Sequence, residues 1–479
     1  MLENRLRSLL TRRRQQSYEQ LRDEADVNEI EDGSSYSDSG RGHQLDDCTA
    51  SPFSWLEYSI LFWMGVNMLW AWNMFLAAAP YFQLRFTSNS WVLTNFQSCI
   101  LSVSCVTNLS SVLVLAKLQK NASYPRRIIW SLTLNIAVFT LLALSAVLFR
   151  DVSIPVYFTF LLFMVFGASL ATGFNQNGMF AFASGFGRAE YTQALMAGQG
   201  VAGVLPCIVQ IVSVLAVPEQ SETVSDQVVQ YKSSKSAFAF FITATLVSAL
   251  ALCAFLYLIN RQRKSTPLLK NPIAARPDDE EELEPTTVNS QPKNPVPLWL
   301  LFQKLRWMAL AVFLCFAVTM AYPIFTNQIQ SVRNTNPTTT TGGQQIPRLF
   351  QPPIFIPLAL LFWNSGDLVG RLIVLIPQIS LTHRPFLLFL FSIARFSFIP
   401  IYMLCNINGR GAWINSDVFY LVVAQFLFGV SNGYLAGACM MGAAEWVAVE
   451  EREAAGGFMG FMLVAGLTLG SLLSFLVAN

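Results

Sequence analysis

Eleven stretches of this sequence are each long and apolar enough to need lipid around them, and that pattern constrains the fold more than any other feature. A helix crossing the hydrocarbon core needs about 20 mainly apolar residues. By that criterion the segments lie near 58–82, 91–115, 127–149, 155–183, 190–217, 237–259, 304–327, 351–377, 385–406, 417–441 and 454–477. Backbone N–H and C=O groups in hydrocarbon must bond within the chain, so such runs fold as helices. The 479 residues are 53% apolar and 13% charged, where a soluble domain carries about 25% charge. The charges gather in the first fifty residues, one central stretch and short connectors. The expected fold class is all-α, a polytopic membrane protein with 11 transmembrane helices.

Residues 1–52 are polar and rich in Ser, Asp and Glu, the composition of a disordered cytoplasmic tail. Residues 260–303 are charged and Pro-rich, with an acidic run from Asp278 to Glu282, and read as a cytoplasmic linker. They divide the helices into an N-terminal six-helix bundle at 53–259 and a C-terminal five-helix bundle at 304–479. A 6+5 arrangement of two bundles is that of carriers whose halves rock about a central site by alternating access. The plainer reading is a polytopic protein with one long loop. With the tail inside, the inner connectors hold Lys117, Lys120, Arg126, Arg127 and a further cluster from Arg261 to Arg306. The outer ones hold fewer basic residues, among them Arg85, Arg150, Arg333 and Arg348. The positive-inside rule then puts the N-terminus in the cytoplasm and, since eleven is odd, the C-terminus outside. No apolar run follows Arg5 to Arg14 until about Tyr58, so the first membrane helix is expected to drive insertion. Leu9-Leu10 in the tail reads as a sorting signal to a vacuole or lysosome, with the plasma membrane as the alternative. The Thr-rich run Asn334 to Gly343 reads as an outer loop.

Several functions are disfavoured. A net charge of +2 lacks the basic excess of a nucleic-acid partner. None of the eight cysteines forms a C-x-x-C pair and most sit in apolar runs, so no metal site or disulfide frame is expected. No phosphate-binding G-x-x-x-x-G-K-[ST] loop is present to bind ATP. No H-E-x-x-H or G-x-S-x-G constellation marks an enzyme, and no cofactor is implied.

The candidate site is the set of polar residues that need a reason to lie inside lipid. Asp367 and Arg371 occupy the middle of the eighth segment, where each alone would cost roughly 2.5–3.5 kcal/mol. Their i,i+4 spacing puts them on one helical face in the favourable acid-first order. They form either a substrate-binding pair or a structural lock between helices. Gly366 and Gly370 repeat the same spacing on an adjacent stripe, allowing close approach of another helix or a ligand. Asn73 follows Trp70 and Trp72 in the first segment, either as a ligand contact or as helix glue. Asn175-Gln176-Asn177 places three amides in the fourth, and Gln176 has the donor and acceptor to pair with a base edge. Gly198, Gly200 and Gly203 in the fifth read first as packing residues. Arg395 is a further buried cation, serving an interface, a gate or a substrate.

Taken in order, several segments resemble the equilibrative nucleoside transporter family. Trp72-Asn73 resembles its first-helix P-W-N-x-[FL] motif, with Ala71 in place of the usual Pro. Gln176-Asn177-Gly178-Met179-Phe180-Ala181 and Met196-Ala197-Gly198-Gln199-Gly200 resemble its fourth and fifth helices. Asp367-Leu368-Val369-Gly370-Arg371 resembles the D-x-x-G-R of the eighth, Arg395 with Pro400 the ninth, and Gly429-Val430-Ser431-Asn432-Gly433-Tyr434 the tenth. The resemblance implies a major-facilitator-like fold and facilitative transport of purine and pyrimidine nucleosides, adenosine and uridine among them. It implies that Leu69 and Trp72 line the pocket, that Gln176 reads the base and that Asn73 supports a gate. Asp367 and Arg371 would hold the ribose hydroxyls, and Tyr322-Pro323 resembles an aromatic–Pro pair of the seventh helix. The alternatives are a proton-coupled nucleoside or nucleobase carrier using Asp367, a major facilitator sugar or drug carrier, and a membrane receptor or signalling scaffold.

Overall fold

The structure, a computed structural model, describes residues 53–119, 122–149, 152–216, 226–265, 296–320, 322–334 and 347–478. The expected tail with Leu9-Leu10, most of the expected linker and most of the Thr-rich run lie outside the described residues. Seven helices precede the central segment: α1 (Trp55–Ala77), its short continuation α2 (Ala79–Arg85), α3 (Ser90–Lys117), α4 (Tyr124–Leu148), α5 (Ile154–Gly185), α6 (Ala189–Ala216) and α7 (Asp226–Ser265). After it come α8 (Leu298–Thr319), the short α9 (Tyr322–Gln328), α10 (Pro352–Ile373), α11 (Pro385–Ala394), α12 (Phe398–Met403), α13 (Leu427–Gly442) and α14 (Arg452–Ala478). A 3₁₀ turn, Arg395–Ser397, joins α11 to α12, and a π-helical turn, Phe419–Phe426, leads into α13. The described residues contain no strand, only an isolated bridge between Ile329 and Ile407.

Local chemistry sets the helix starts. The Asn89 side chain accepts a hydrogen bond from Val92 N at 3.1 Å and caps α3. Prolines open α4, α5 and α11, where the missing N–H costs no hydrogen bond. Among the described residues, ten spans are long and apolar enough to cross a membrane. The eighth expected segment, α10, is not one of the ten. It has 22 residues, about 33 Å at 1.5 Å per residue, and its second half carries Asn364, Asp367 and Arg371.

Some apolar runs that read as single helices are broken. The seventh parts between α8 and α9, and the ninth tightens to 3₁₀ at Arg395. The amide stretch Asn175 to Asn177, by contrast, lies within an unbroken α5. Arg127 Nη1 donates to Asn177 Oδ1 at 2.6 Å, answering one of those amides. Arg85, counted above as an outer connector charge, is buried, with its guanidinium over the Tyr157 ring at 3.9 Å.

Outer faces of the bundle expose Trp130, Phe163, Val212 and Leu250. Apolar residues spread over so many helices would aggregate in water and are at home in lipid. The protein is an integral membrane protein. Inside, α1 and α6 approach to backbone contact: a Cβ on Gly65 would collide with the Leu195 carbonyl, and one on Gly198 with the Phe62 carbonyl.

Candidate functional site

On its opposite side α6 meets α10. A methyl on Gly200 would press on Leu368, and one on Gly203 would strike the Asn364 side chain. The glycines read from sequence as packing residues therefore let α6 sit between α1 and α10. On the far side of α10, α13 is equally close. Cβ atoms on Gly366 and Gly370 would strike the carbonyls of Phe426 and Val430, and those on Gly429 and Gly433 the carbonyls of Trp363 and Asp367. Four glycines thus let two helices touch backbone to backbone.

Between these crossings lie Asp367 and Arg371, each 4% exposed. Arg371 Nε donates to Asp367 Oδ2 at 2.7 Å. Arg371 Nη1 reaches across to α6, donating to the Met196 carbonyl at 2.7 Å and to Gln199 Oε1 at 3.1 Å. Since α6 precedes the central segment and α10 follows it, this guanidinium ties the two parts of the chain together. Gln199 in turn points its amide nitrogen at Met68 Sδ on α1, 3.5 Å away. The other carboxylate oxygen, Asp367 Oδ1, accepts from Asn432 Nδ2 at 2.6 Å.

Arg395 is fully buried. Its guanidinium donates to the Cys315 carbonyl at 2.6 Å, to Ser431 Oγ at 3.0 Å and to Thr319 Oγ1 at 3.2 Å. It also lies 4.5 Å from the centroid of the Phe428 ring. Every one of these partners is neutral.

Tyr322, at the start of α9, stacks on Trp363 of α10 with ring centroids 4.8 Å apart. Tyr402 and Phe428 close round it, and the cavity left among these rings is about 10 Å³, room for about one water. Asn73 Nδ2 donates to the Ala202 carbonyl on α6 at 2.8 Å, and Trp72 stacks on Phe75. Gln176 is buried on α5, with its Oε1 unpartnered. Leu69, Trp72 and Gln176 make no hydrogen bond or ring contact with the Asp367–Arg371 pair among the described residues. The structure therefore brings Asp367, Arg371, Arg395 and Tyr322 to neighbouring points of one crossing.

Gln199, Asn432 and Thr319 are the residues that reading the sequence passed over. Gln199 stood in a glycine cluster and looked like packing. Asn432 lies between Gly429 and Gly433 in an apolar run, and an amide flanked by close-contact glycines is a signal that could have found it. Thr319 carries no signal, because a threonine in a membrane helix usually bonds its own preceding carbonyl.

A bundle of membrane-length helices with an ion pair buried where its two parts cross is the architecture of a polytopic membrane carrier. The fold agrees. A solved structure of the human organic anion transporter MFSD10 has a TM-score of 0.51 at 11% identity, covering 87% of this chain and 92% of its own. The profile of the nucleoside transporter family matches residues 162–479, and the chain belongs to that family. Nucleoside transporter FUN26 of Saccharomyces cerevisiae is 28% identical over 461 residues, spanning 88% of this chain and 83% of the yeast protein. Human equilibrative nucleoside transporter 2 is 27% identical over 466 residues, spanning 87% of this chain and 95% of its own length. The family is one of carriers, not enzymes.

Proposed function

We propose that this protein carries purine and pyrimidine nucleosides down their gradients by alternating access, through an eleven-helix bundle with its N-terminus in the cytoplasm. The observation that carries the reading is the buried Asp367–Arg371 pair bonded across the α6–α10 crossing. Asp367 spends one lone pair on Arg371 and one on Asn432. An ionised carboxylate offers about four acceptor sites, so two remain for a pair of ribose hydroxyls. Arg371 holds α6 through a carbonyl and an amide oxygen, neutral acceptors that a sugar hydroxyl can replace. Substrate at the pair would then loosen the bond between the two parts of the chain.

Gln176, with an unpartnered amide oxygen, would face a base, and Leu69 and Trp72 would supply apolar wall. The stack of Tyr322 on Trp363, with Asn73 on the α1 side, would act as a gate. A ligand that binds both facing states needs no fuel to cross.

The test is uptake of labelled adenosine and uridine by proteoliposomes holding the purified protein, with and without a pH gradient. Saturable uptake, inhibited by excess unlabelled nucleoside and indifferent to the gradient, is the expected result. No flux of either nucleoside from folded protein would overturn the reading. Gradient-dependent uptake would replace it with a proton-coupled carrier. In that case Asp367→Asn should remove the pH dependence before it removes binding.

A further inference from the structure

Asp367 is connected to more than Arg371, and the connection runs in one direction. Arg395 can only donate, and its Nη2 donates to Thr319 Oγ1 at 3.2 Å. The Thr319 hydroxyl lies 2.7 Å from Asn432 Oδ1, and the Cys315 thiol lies 3.3 Å from the same oxygen. An ionised carboxylate only accepts, so the Asn432 amide nitrogen must face Asp367, 2.6 Å from Oδ1, and its oxygen faces the thiol and the Thr319 hydroxyl, whose one proton it shares with the Cys315 carbonyl, also 2.7 Å away. A flipped amide would set its oxygen against the Asp367 carboxylate, two acceptors facing each other. The chain therefore reads Arg395 to Thr319 to Asn432 to Asp367, a cation linked to a carboxylate through two neutral side chains.

The places this chain touches are the places where helices break. Thr319 is the last residue of α8, just before the discontinuity that leads to α9 and Tyr322. Arg395 opens the 3₁₀ turn between α11 and α12. Discontinuous helices inside a membrane are where carriers place their sites and moving parts. Asn432 is held at its station by Gly433, whose absent side chain lets α13 lie on the Asp367 backbone. The relay thus joins the carboxylate to the two breaks through one amide.

We propose that Asn432 is a positioning residue. It aims the Asp367 carboxylate at the substrate hydroxyls and, through Thr319 and Arg395, makes the α8–α9 and α11–α12 breaks sense whether that carboxylate is occupied. This rests on the nucleoside reading above and deepens it. When a sugar hydroxyl donates to Asp367 Oδ1, the Asn432 bond lengthens and its hold on Thr319 weakens. The α8–α9 break then gains freedom to move Tyr322 off Trp363. No proton or electron is transferred.

The experiment uses the full-length protein in proteoliposomes and measures KM and maximal rate for labelled uridine and labelled 2′,3′-dideoxyuridine, which lacks the 2′ and 3′ hydroxyls and keeps the 5′. Asn432→Ala removes a hydrogen bond to a charged group, so its uridine KM should rise on the order of tenfold or more. Its dideoxyuridine KM, already weak, should change by less than about threefold. Thr319→Val should lower the maximal rate for uridine with a smaller change in KM, and Thr319→Ser, which keeps the hydroxyl, should restore it. A merely structural role would move both substrates alike. Equal KM changes for the two substrates in Asn432→Ala, or a Thr319→Val protein with wild-type rates, would overturn the relay while the nucleoside reading stands. If Asn432→Ala fails to fold, Asn432→Asp and Thr319→Val carry the test. Asn432→Asp sets a second carboxylate against Asp367, and should raise the uridine KM and leave that for dideoxyuridine nearly unchanged. Wild-type protein that moves neither substrate would overturn the nucleoside reading, and the relay with it.

Discussion

Replacing Gly433 by Ala would place a methyl carbon 2.7 Å from the Asp367 carbonyl carbon and 2.9 Å from Arg371 N, and closer still to the Asp367 carbonyl oxygen. Non-bonded carbons rest about 3.5–4.0 Å apart, so α13 must back away from α10 by about 1 Å. The neighbours are backbone on a packed helix and cannot rotate aside. The same movement stretches the 2.6 Å bond between Asn432 Nδ2 and Asp367 Oδ1 to about 3.6 Å, which is no longer a hydrogen bond. Overpacking costs about 1–3 kcal/mol, and losing a hydrogen bond to a charged group about 1.5–3 kcal/mol. The gain in helix propensity from Gly to Ala offsets at most about 1 kcal/mol. A net loss of about 2–5 kcal/mol is expected. Gly437, one turn further along α13, is the control, since a methyl there meets only the tip of Val374 at 3.2 Å and the Arg371 Cα at 3.7 Å. Thermal unfolding in detergent should show Gly433→Ala melting roughly 2–5 °C below wild type, with Gly437→Ala near or slightly above it. Nucleoside uptake should follow the same order. A Gly433→Ala protein that melts with wild type and transports normally would refute the close crossing and the geometry built on it.

Three further outcomes follow from the same structure. Removing either member of the buried Asp367–Arg371 pair leaves an uncompensated charge and should cost roughly 3–5 kcal/mol. The double variant should lose less than the sum of the singles, as read by thermal unfolding across a double-mutant cycle. Tyr322→Phe keeps the stack on Trp363 and should leave the melting temperature unchanged, whereas Tyr322→Ala should cost about 3–5 kcal/mol and weaken transport. Lys304 and Glu451 meet at 2.7 Å with Lys304 well exposed. Glu451→Gln should therefore shift stability by no more than about 1 kcal/mol, and a loss of several degrees in melting temperature would contradict that.

What the sequence determined by itself is what depends on neighbours along the chain. A membrane helix announces itself through a run of about 20 apolar residues because burial in lipid is decided segment by segment. The Asp367–Arg371 contact was legible for the same reason, since i,i+4 residues meet on any helix whatever surrounds it. The family resemblance also lay in short ordered motifs. The tertiary structure decided which helices cross, and therefore which polar groups answer one another. Nothing between Thr319 and Arg395, or between Asp367 and Asn432, signals that four residues on separate helices form one chain of hydrogen bonds. That arrangement exists because glycines on α10 and α13 let two backbones touch. The breaks after Thr319 and at Arg395 were invisible for a related reason: an apolar run looks the same whether its helix is continuous or cut, and side chains from other helices hold the pieces where they part. Lipid reads composition, whereas a helix crossing reads the shape of two surfaces at once, and only the folded bundle brings those surfaces together.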